Sequence, residues 1–330
     1  MIPVIDVSQH QGVIDFSVMR AKGVHHIILR ATHGRTIDAR LSEYYSAAIQ
    51  AGYAPHQIGF YSFINPKRGS AQVTAQATAD AIVEVAESTD VLYMLDVESY
   101  RAEGPNVGTV TLTGQAFADY IREHRAAFQA AMPGCRIIAY TNRAYWNSAD
   151  GPRDAVLASE LEWIVPRYPV YSRAGYERIG YPPEPDRWDE WAFARAPGGP
   201  NPPIGGTWDG WQFSAGYNAQ GPVYGCASSD LDLNIVGIAA AARWFPEPVV
   251  IPDPIPEPPE EEMTTAVIWN PKGYASAFLI GAGDVVHLSP ALFEHYVSLN
   301  VKVISQDDHP QLLDSVLHAT GLTAGALDPL

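Results

Sequence analysis

Short apolar runs alternate with longer amphipathic stretches along the first half of the chain. The apolar runs have strand length and predict buried strands at Ile2–Val7, His26–Thr32, Ile58–Phe63, Val91–Val97 and Arg136–Thr141. The amphipathic stretches between them predict helices at Phe16–Ala21, Leu41–Ala51, Ala71–Ala86 and Thr113–Ala131. Regular β–α alternation over this length predicts an α/β fold with a parallel sheet, either open or closed into a barrel.

The pattern becomes irregular after Trp163. Residues 180–210 are rich in Pro, Gly and Trp, which predicts a long loop and an irregular last third of the sheet or barrel. Further along, residues 246–262 read PEPVVIPDPIPEPPEEE, in which prolines alternate with acidic and small apolar residues. Such a composition favours an extended, semi-rigid spacer. It divides the chain into a large domain, 1–245, and a small one, 263–330.

The small domain carries its own alternation of patterns. Strand-like runs lie at Thr265–Trp269, Ser276–Ile280 and Val301–Ile304, and helical patterns at Pro290–Leu299 and Pro310–Thr320. We expect a small α/β module. Residues 263–330 are few for an isolated core, which favours self-association.

The domain begins at Met263, directly after three glutamates. Glu codons place a purine-rich tract before the Met codon, which suggests the hypothesis of an internal translation start. The simpler interpretation is that a methionine happens to begin the domain.

Composition and charge exclude several classes of function. The chain has 47% hydrophobic and 18% charged residues, as folded globular proteins do. Its formal net charge of −16 argues against nucleic-acid binding and against adhesion to anionic membranes. Cys135 and Cys226 are the only cysteines, and we expect buried, reduced thiols. The N-terminal segment has no signal-peptide pattern and no stretch is apolar enough to span a membrane, so we expect synthesis in a cytoplasm.

Acidic residues follow the ends of predicted strands. Asp6 ends the first strand, Asp96 and Glu98 lie two residues apart at the end of the fourth, and Asp232 lies near the end of the domain. In parallel α/β folds the carboxyl ends of strands line the active site. Alternate residues of a strand share a face, with their Cα atoms about 6.5 Å apart. The carboxylates of Asp96 and Glu98 should therefore repel each other, which raises the pKa of at least one of them. A carboxylic acid protonated near pH 7 suits a proton donor to a glycosidic oxygen. Alternatively, the two acids are neutralised by a neighbouring arginine such as Arg30.

A series of ordered motifs resembles the family 25 glycoside hydrolases, which are N-acetylmuramidases of phage lysins and some bacterial lysozymes. The motifs are DVSQHQGVIDF at 6–16, IILRATHG at 27–34, AGYAPHQIGFYSF at 51–63, LDVES at 95–99, IIAYTN at 137–142, EWIVPRY at 162–168, GWQFS at 210–214 and DLDLN at 230–234. The resemblance covers about residues 1–240 and implies a modified (β/α) barrel with five α/β units and additional strands. It implies Glu98 as proton donor, Asp96 as its partner acid, and Asp6 and Asp232 as further acids of the pocket.

The resemblance also implies which residues bind sugar. These are Tyr61, Tyr140, Trp163, Tyr168 and Trp211, together with Arg30, although core packing is an alternative for each aromatic residue. For Trp188, Trp191 and Trp208, in the irregular segment, cleft extension and loop packing remain equally open. One departure is Ser62, where the family usually has His in a Tyr-His-Phe motif. A second is Val-Pro in WIVPRY, where a Trp-x-Ala-x-Tyr pattern is common.

The expected function is therefore that of an endolysin. It would cleave the β-1,4 bond between N-acetylmuramic acid and N-acetylglucosamine in bacterial peptidoglycan, with Glu98 as general acid and the substrate's acetamido group assisting. The chain would remain in the host cytoplasm until release, and 263–330 would bind the wall or self-associate. We expect no cofactor, no metal, no nucleic acid and no membrane insertion. Alternatives are a catalytically silent wall-sugar-binding protein on the same barrel and a chitinase-like glycosidase.

Overall fold

The computed structural model describes residues 1–100 and 111–247 and, beyond them, the backbone of four strands. The chain divides into two compact units, Met1–Pro248 and Val249–Leu330. The division falls within the Pro-rich stretch 246–262. In the part of the chain that the structure describes, no helix is both long and apolar enough to cross a membrane.

The first unit contains nine strands and nine α-helices. The strands are β1 (Ile2–Val7), β2 (His26–His33), β3 (Thr36–Ile37), β4 (Ile58–Phe63), β5 (Leu92–Asp96), β6 (Arg136–Tyr140), β7 (Trp163–Pro166), β8 (Gly210–Ser214) and β9 (Asp232–Val236). The helices are α1 (Phe16–Ala21), α2 (Leu41–Gln50), α3 (Ala71–Ala86), α4 (Gly114–Ala131), α5 (Arg143–Trp146), α6 (Ala155–Ser159), α7 (Arg173–Ile179), α8 (Trp188–Arg195) and α9 (Ile238–Trp244). These counts refer to residues 1–100 and 111–247.

Eight of the strands close into a barrel in the order β1-β2-β4-β5-β6-β7-β8-β9, and β9 returns to β1. Neighbouring strands from β1 to β8 are parallel, whereas β9 is antiparallel to both β8 and β1. The short strand β3 pairs only with β2, as a hairpin outside the barrel. The predicted α/β class and modified barrel are therefore confirmed.

Local sequence signals set the element boundaries. Four predicted elements, β1, α1, β4 and α3, have the bounds that the hydrophobic pattern indicated. Helix α3 begins where the Ser70 side chain accepts a hydrogen bond from the Val73 backbone N–H, and α1 begins where Asp15 accepts one from Ser17. Such caps satisfy backbone donors that the first helical turn leaves free.

Strand alternation separates the two sides of the barrel wall. Inward side chains form one apolar cluster in the lower barrel, which includes Val4, Ile28, Met94, Ile138 and Val236. Outward side chains on the same strands pack against the helices in a second, larger cluster. Because the next inward positions toward the carboxyl ends of the parallel strands are polar or aromatic, the interior changes from an apolar core to a polar rim.

The irregular last third contains more helix than the sequence predicted. The segment read as a long loop, 180–210, holds helix α8, and α7 lies just before it. Trp188 and Trp191 are buried on one face of α8 and both contact the Phe213 ring, at centroid distances of 5.5 and 5.9 Å. The sequence pattern did not predict this short helix because prolines and glycines flank it. Its two tryptophans pack in the protein core and do not extend a cleft.

In the second unit the structure describes a four-stranded sheet. Its strands are β10 (Val267–Asn270), β11 (Ala277–Gly281), β12 (Asp284–Leu288) and β13 (Val303–Ser305), in the order β12-β11-β10-β13. Strand β13 is parallel to β10 and the other pairs are antiparallel. The sequence pattern predicted three of these strands and missed β12. Met263, most of the spacer and the predicted helices at 290–299 and 310–320 lie outside the described residues.

Candidate active site

The topology brings the four predicted acids to one rim of the barrel. Asp6 and Asp96 lie near the carboxyl ends of β1 and β5, and Glu98 follows two residues after Asp96. Strand β9 runs in the opposite direction, so its first residue, Asp232, lies at the same rim and pairs in register with Asp6. The negative charges of Asp6, Glu98 and Asp232 all act on the pKa of Asp96, so the four form one electrostatic cluster.

Asp6 is held by two amide side chains. Its Oδ2 accepts hydrogen bonds from Asn234 Nδ2 at 2.8 Å and from Gln212 Nε2 at 3.3 Å. Burial raises the pKa of Asp6 to about 6, and these two amides oppose the increase. Asp6 is also the register partner of Asp232 on the neighbouring strand. Burial and the negative charge of Asp6 hold the pKa of Asp232 well above its ordinary value. Two acids so close share protons rather than ionise together near neutrality.

Asp96 is a second strongly perturbed carboxyl, next to Glu98. Its side chain is buried, and its Oδ1 atom has no hydrogen-bond partner among the residues that the structure describes. Burial is the largest cause that holds the pKa of Asp96 well above its ordinary value, and the Glu98 charge adds to it. A buried carboxyl oxygen with no partner is unfavourable, so this atom is suited to accept a hydrogen bond from a ligand.

Glu98 is half-buried and has the pKa that a proton donor requires. Burial and then the negative charge of Asp6 raise the pKa of Glu98 to about 7, and hydrogen bonding to the Tyr140 side chain opposes this increase. Near pH 7 the protonated and ionised forms of Glu98 are therefore both well populated. An acid that gives and later takes back a proton works best when its pKa lies near the working pH.

Three tyrosines surround the acids. Tyr140 donates a hydrogen bond to Gln212 Oε1 at 2.8 Å, Tyr168 donates to the same oxygen, and their hydroxyls lie 3.3 Å apart. Because these donors occupy Gln212 Oε1, the amide nitrogen of Gln212 faces Asp6. Tyr61 is buried in the barrel, where burial and then the Asp6 charge hold its pKa well above the ordinary value.

Arg30 lies beside the acids but is already paired. Its Nε donates to Asp38 Oδ2 at 2.7 Å, and the exposed fractions of the two side chains are 10% and 1%. Asp38 also accepts from the Gln9 backbone N–H, which ties β2 to the first loop. Arg30 lowers the pKa of Asp96, as the alternative interpretation expected, yet the pKa of Asp96 stays well above its ordinary value. Arg30 was predicted as a substrate ligand, but its guanidinium group already forms an ion pair with Asp38.

Trp163 and Trp211 were predicted as sugar-binding residues, and the structure places them elsewhere. Both have no exposed surface and lie on the outward faces of β7 and β8, between barrel wall and helices. The Trp163 indole N–H donates to the Ala158 carbonyl, and that of Trp211 to the Arg167 carbonyl. With their rings packed and their donors satisfied, neither can stack on a sugar.

The sequence interpretation missed Gln212 and Asn234. Both lie within quoted motifs, GWQFS and DLDLN, and strand alternation would have identified them. Asn234 is two residues after Asp232 and shares its face, and Gln212 points inward because its neighbour Trp211 points outward. The unusual Ser62 also faces outward: its Oγ accepts from the Tyr93 hydroxyl at 2.9 Å, so this departure leaves the rim unchanged.

Within residues 1–100 and 111–247, no group of three or more His, Cys, Asp or Glu side chains is arranged to hold a metal ion. Cys135 and Cys226 are buried and free. The rim therefore consists of carboxyl, amide, phenol and guanidinium groups, which can transfer protons and bind polar ligands.

Comparisons with known proteins agree with this arrangement. Residues 5–222 match the family described as Glycosyl hydrolases family 25. The chain is 27% identical over 193 residues to Lysozyme M1 of Streptomyces globisporus, which is 57% of this chain and 59% of that protein. It therefore spans about 59% of the length of that relative.

Two solved structures share the fold. A bacterial lysozyme from Streptomyces coelicolor is 24% identical with a TM-score of 0.53, covering 74% of this chain and 96% of that one. A muramidase from Acremonium alcalophilum is 22% identical with a TM-score of 0.51, covering 74% and 98%. At these identities the similarity concerns the fold alone. The family match covers most of the barrel and includes three of its four rim acids, and the chain belongs to glycosyl hydrolase family 25.

Proposed function

We propose that this chain hydrolyses the β-1,4 bond between N-acetylmuramic acid and N-acetylglucosamine in bacterial peptidoglycan. The observation that carries the proposal is Glu98, a carboxyl with a pKa of about 7 beside the buried Asp96. Family membership supports glycosidase chemistry, and the relatives named lysozyme and muramidase support this substrate.

In the first step, Glu98 acts as the general acid. It protonates the glycosidic oxygen, which leaves as the 4-hydroxyl of N-acetylglucosamine. The acetamido carbonyl oxygen of the muramic acid residue bonds to its own C1 as the glycosidic bond breaks. In the second step, the Glu98 carboxylate takes a proton from water while the water oxygen bonds to C1 and the acetamido group is released.

Asp96 would orient the acetamido group. An acetamido N–H donated to the unpartnered Oδ1 would favour the ionised form of Asp96 and lower its pKa. With Asp96 ionised, Glu98 would keep its proton, which the first step requires. Asp6 and Asp232 would keep the rim proton-rich, and Tyr61, Tyr140 and Tyr168 would line the sugar-binding surface.

Mass spectrometry of digested cell-wall fragments tests the proposed bond. We expect new reducing-end muramic acid after digestion with the wild-type protein and far less after the same time with Glu98→Gln. Reducing-end N-acetylglucosamine would show a different bond specificity. Cleavage of chitin oligomers in preference to purified peptidoglycan would favour the chitinase-like alternative, and wall binding without any cleavage would favour the silent sugar-binding alternative.

The pH profile of cleavage should follow Glu98. Because burial raises its pKa to about 7, we expect kcat to fall progressively above pH 7, by about tenfold per pH unit well above the pKa. Between pH 4 and 7 the native state holds protons on Asp6 and Glu98 that the unfolded chain releases, so the free energy of unfolding falls as pH rises. Circular dichroism at each pH separates unfolding from titration. A rate that stays constant from pH 6 to 9 would contradict the assignment.

We also propose the domain organisation of an endolysin: a catalytic unit at 1–245, a spacer at 246–262, and a module at 263–330 that binds the wall or self-associates. The compact division of the chain and the separate four-stranded sheet support a distinct second module. In this proposal the chain remains in the host cytoplasm until released, and then acts on the wall.

A further inference from the structure

A polar cleft opens at the rim where β6 and β7 end. Its volume is about 510 Å³, and its lining includes Asn142, Arg143, Arg167, Tyr171 and Asn201. A smaller cavity of about 170 Å³ shares Asn147 with it and is lined by a further arginine, Arg153. Their linings carry guanidinium groups, amide groups and one aromatic ring, and within residues 1–100 and 111–247 no acidic side chain lines either cavity.

The cleft adjoins the acid cluster. Arg143 follows Tyr140 by three residues, and Arg167 directly precedes Tyr168. The Tyr168 ring contacts the Tyr171 ring, with centroids 5.6 Å apart in an edge-to-face arrangement, and the Tyr171 side chain is 74% exposed. A polymer bound across the acids can therefore reach the cleft with a substituent.

The two arginines of the cleft lack acidic partners in the part of the chain that the structure describes. Arg167 donates to the carbonyls of Pro197 and Gly199, which leaves its positive charge uncompensated, and Arg143 has no ion pair there. Several other arginines meet carboxylates, as Arg122 does with Asp154. In a chain of net charge −16, two uncompensated cations in one cleft favour an anionic ligand.

We propose that this cleft binds a carboxylate carried by the lactyl substituent of muramic acid. The inference rests on the proposed function and adds a specificity subsite to it. Guanidinium groups bind carboxylates through paired N–H donors, Asn142 and Asn201 are suited to peptide amides, and Tyr171 offers an apolar face. The carboxylate comes either from the stem peptide or from the lactyl group itself once the peptide is removed.

Steady-state kinetics on three forms of soluble glycan chains distinguish these sources. The first form carries stem peptides, the second is stripped by an amidase so that lactyl carboxylates are free, and the third has all carboxylates converted to methylamides. For Arg143→Gln we expect KM to rise about tenfold on the peptide-bearing chains with kcat within twofold, because a charge-assisted contact is lost. Arg143→Lys should recover part of the loss. Arg178→Gln, an exposed arginine outside the cleft, is the matched control.

On the methylamidated chains, Arg143→Gln and wild type should have the same KM. A rise in KM confined to stripped chains identifies the lactyl carboxylate as the ligand, and a rise confined to peptide-bearing chains identifies a carboxylate of the stem peptide. A rise on both forms shows that the cleft accepts either carboxylate. An unchanged KM on all three forms, or an equal rise on the methylamidated form, overturns the proposal while leaving the proposed function intact.

A binding measurement keeps the subsite testable apart from catalysis. Titration calorimetry with a disaccharide-peptide fragment of peptidoglycan should show about tenfold weaker binding to Arg143→Gln than to wild type. If the wild type cleaves no glycan, the proposed function fails, yet this difference still supports the subsite. Equal affinities of the two proteins for the fragment would refute it.

Discussion

Glu98→Gln is expected to lower the rate of wall lysis by about 10²–10⁴-fold, the usual contribution of a general acid. Glutamine has the shape of the protonated acid but cannot release its proton to the glycosidic oxygen. The fold should remain, and the free energy of unfolding at pH 7 should be unchanged or higher. Burial and the Asp6 charge both disfavour the carboxylate that the substitution removes.

Rates of lysis at equal concentrations of folded protein, with thermal unfolding of each variant, decide this prediction. Glu123→Gln is a matched control, because Glu123 is exposed on α4 and accepts a hydrogen bond from Gln72 on α3. A Glu98→Gln rate within threefold of wild type would remove Glu98 from the mechanism. A parallel loss in the control would indicate an effect on folding or handling.

Asp96→Asn is expected to lower kcat by about 100-fold or more while wall binding remains close to wild type. Asparagine keeps the size of the side chain, but it does not supply the negative charge that the acetamido N–H would require as the C1–oxygen bond forms. Because that charge matters most in the transition state, kcat should fall rather than binding.

Pelleting with purified walls measures binding, and release of reducing ends measures turnover. Asp80→Asn, an exposed acid on α3 that accepts a hydrogen bond from Gln76, is the control. Normal turnover by Asp96→Asn would rule out its role. Covalent trapping of an enzyme carboxylate by a fluorinated sugar would show instead that a side chain, and not the acetamido group, attacks C1.

The rim acids were predictable because two simple rules act on them. Asp6 and Asp96 end buried parallel strands and must meet at one rim, and Asp96 and Glu98, two residues apart, must share a face. Asp232 reaches the same rim by another route, as the first residue of the antiparallel strand β9. The same alternation would have separated Gln212 from Trp211. Taking the sugar-binding residues from the family resemblance instead placed Trp163 and Trp211 in the cleft, although both point outward and are fully buried.

Other features depend on contacts that no short window of sequence contains. The Arg30–Asp38 ion pair forms across a bulge and the β3 hairpin, so sequence spacing alone does not indicate whether Arg30 is available to a ligand. Helix α8 is only eight residues long and derives its stability from burying Trp188 and Trp191, which is tertiary information. Strand β12 is likewise short and lies seven residues after the start of the preceding strand.

The antiparallel strand β9 makes assembly of the active site one of the last events in synthesis of the barrel. Asp6 is among the first residues to leave the ribosome, but its hydrogen-bond partner Asn234 is 228 residues away in sequence. Until residues 232–236 emerge, β1 and β8 each keep an unpaired edge, and the Asp6 carboxyl lacks both Asn234 and Asp232. Pairing over such a separation forms slowly, since much of the chain must be ordered first. A nascent or truncated chain that stops before Asp232 thus carries three of the four acids without the closed barrel that holds them together.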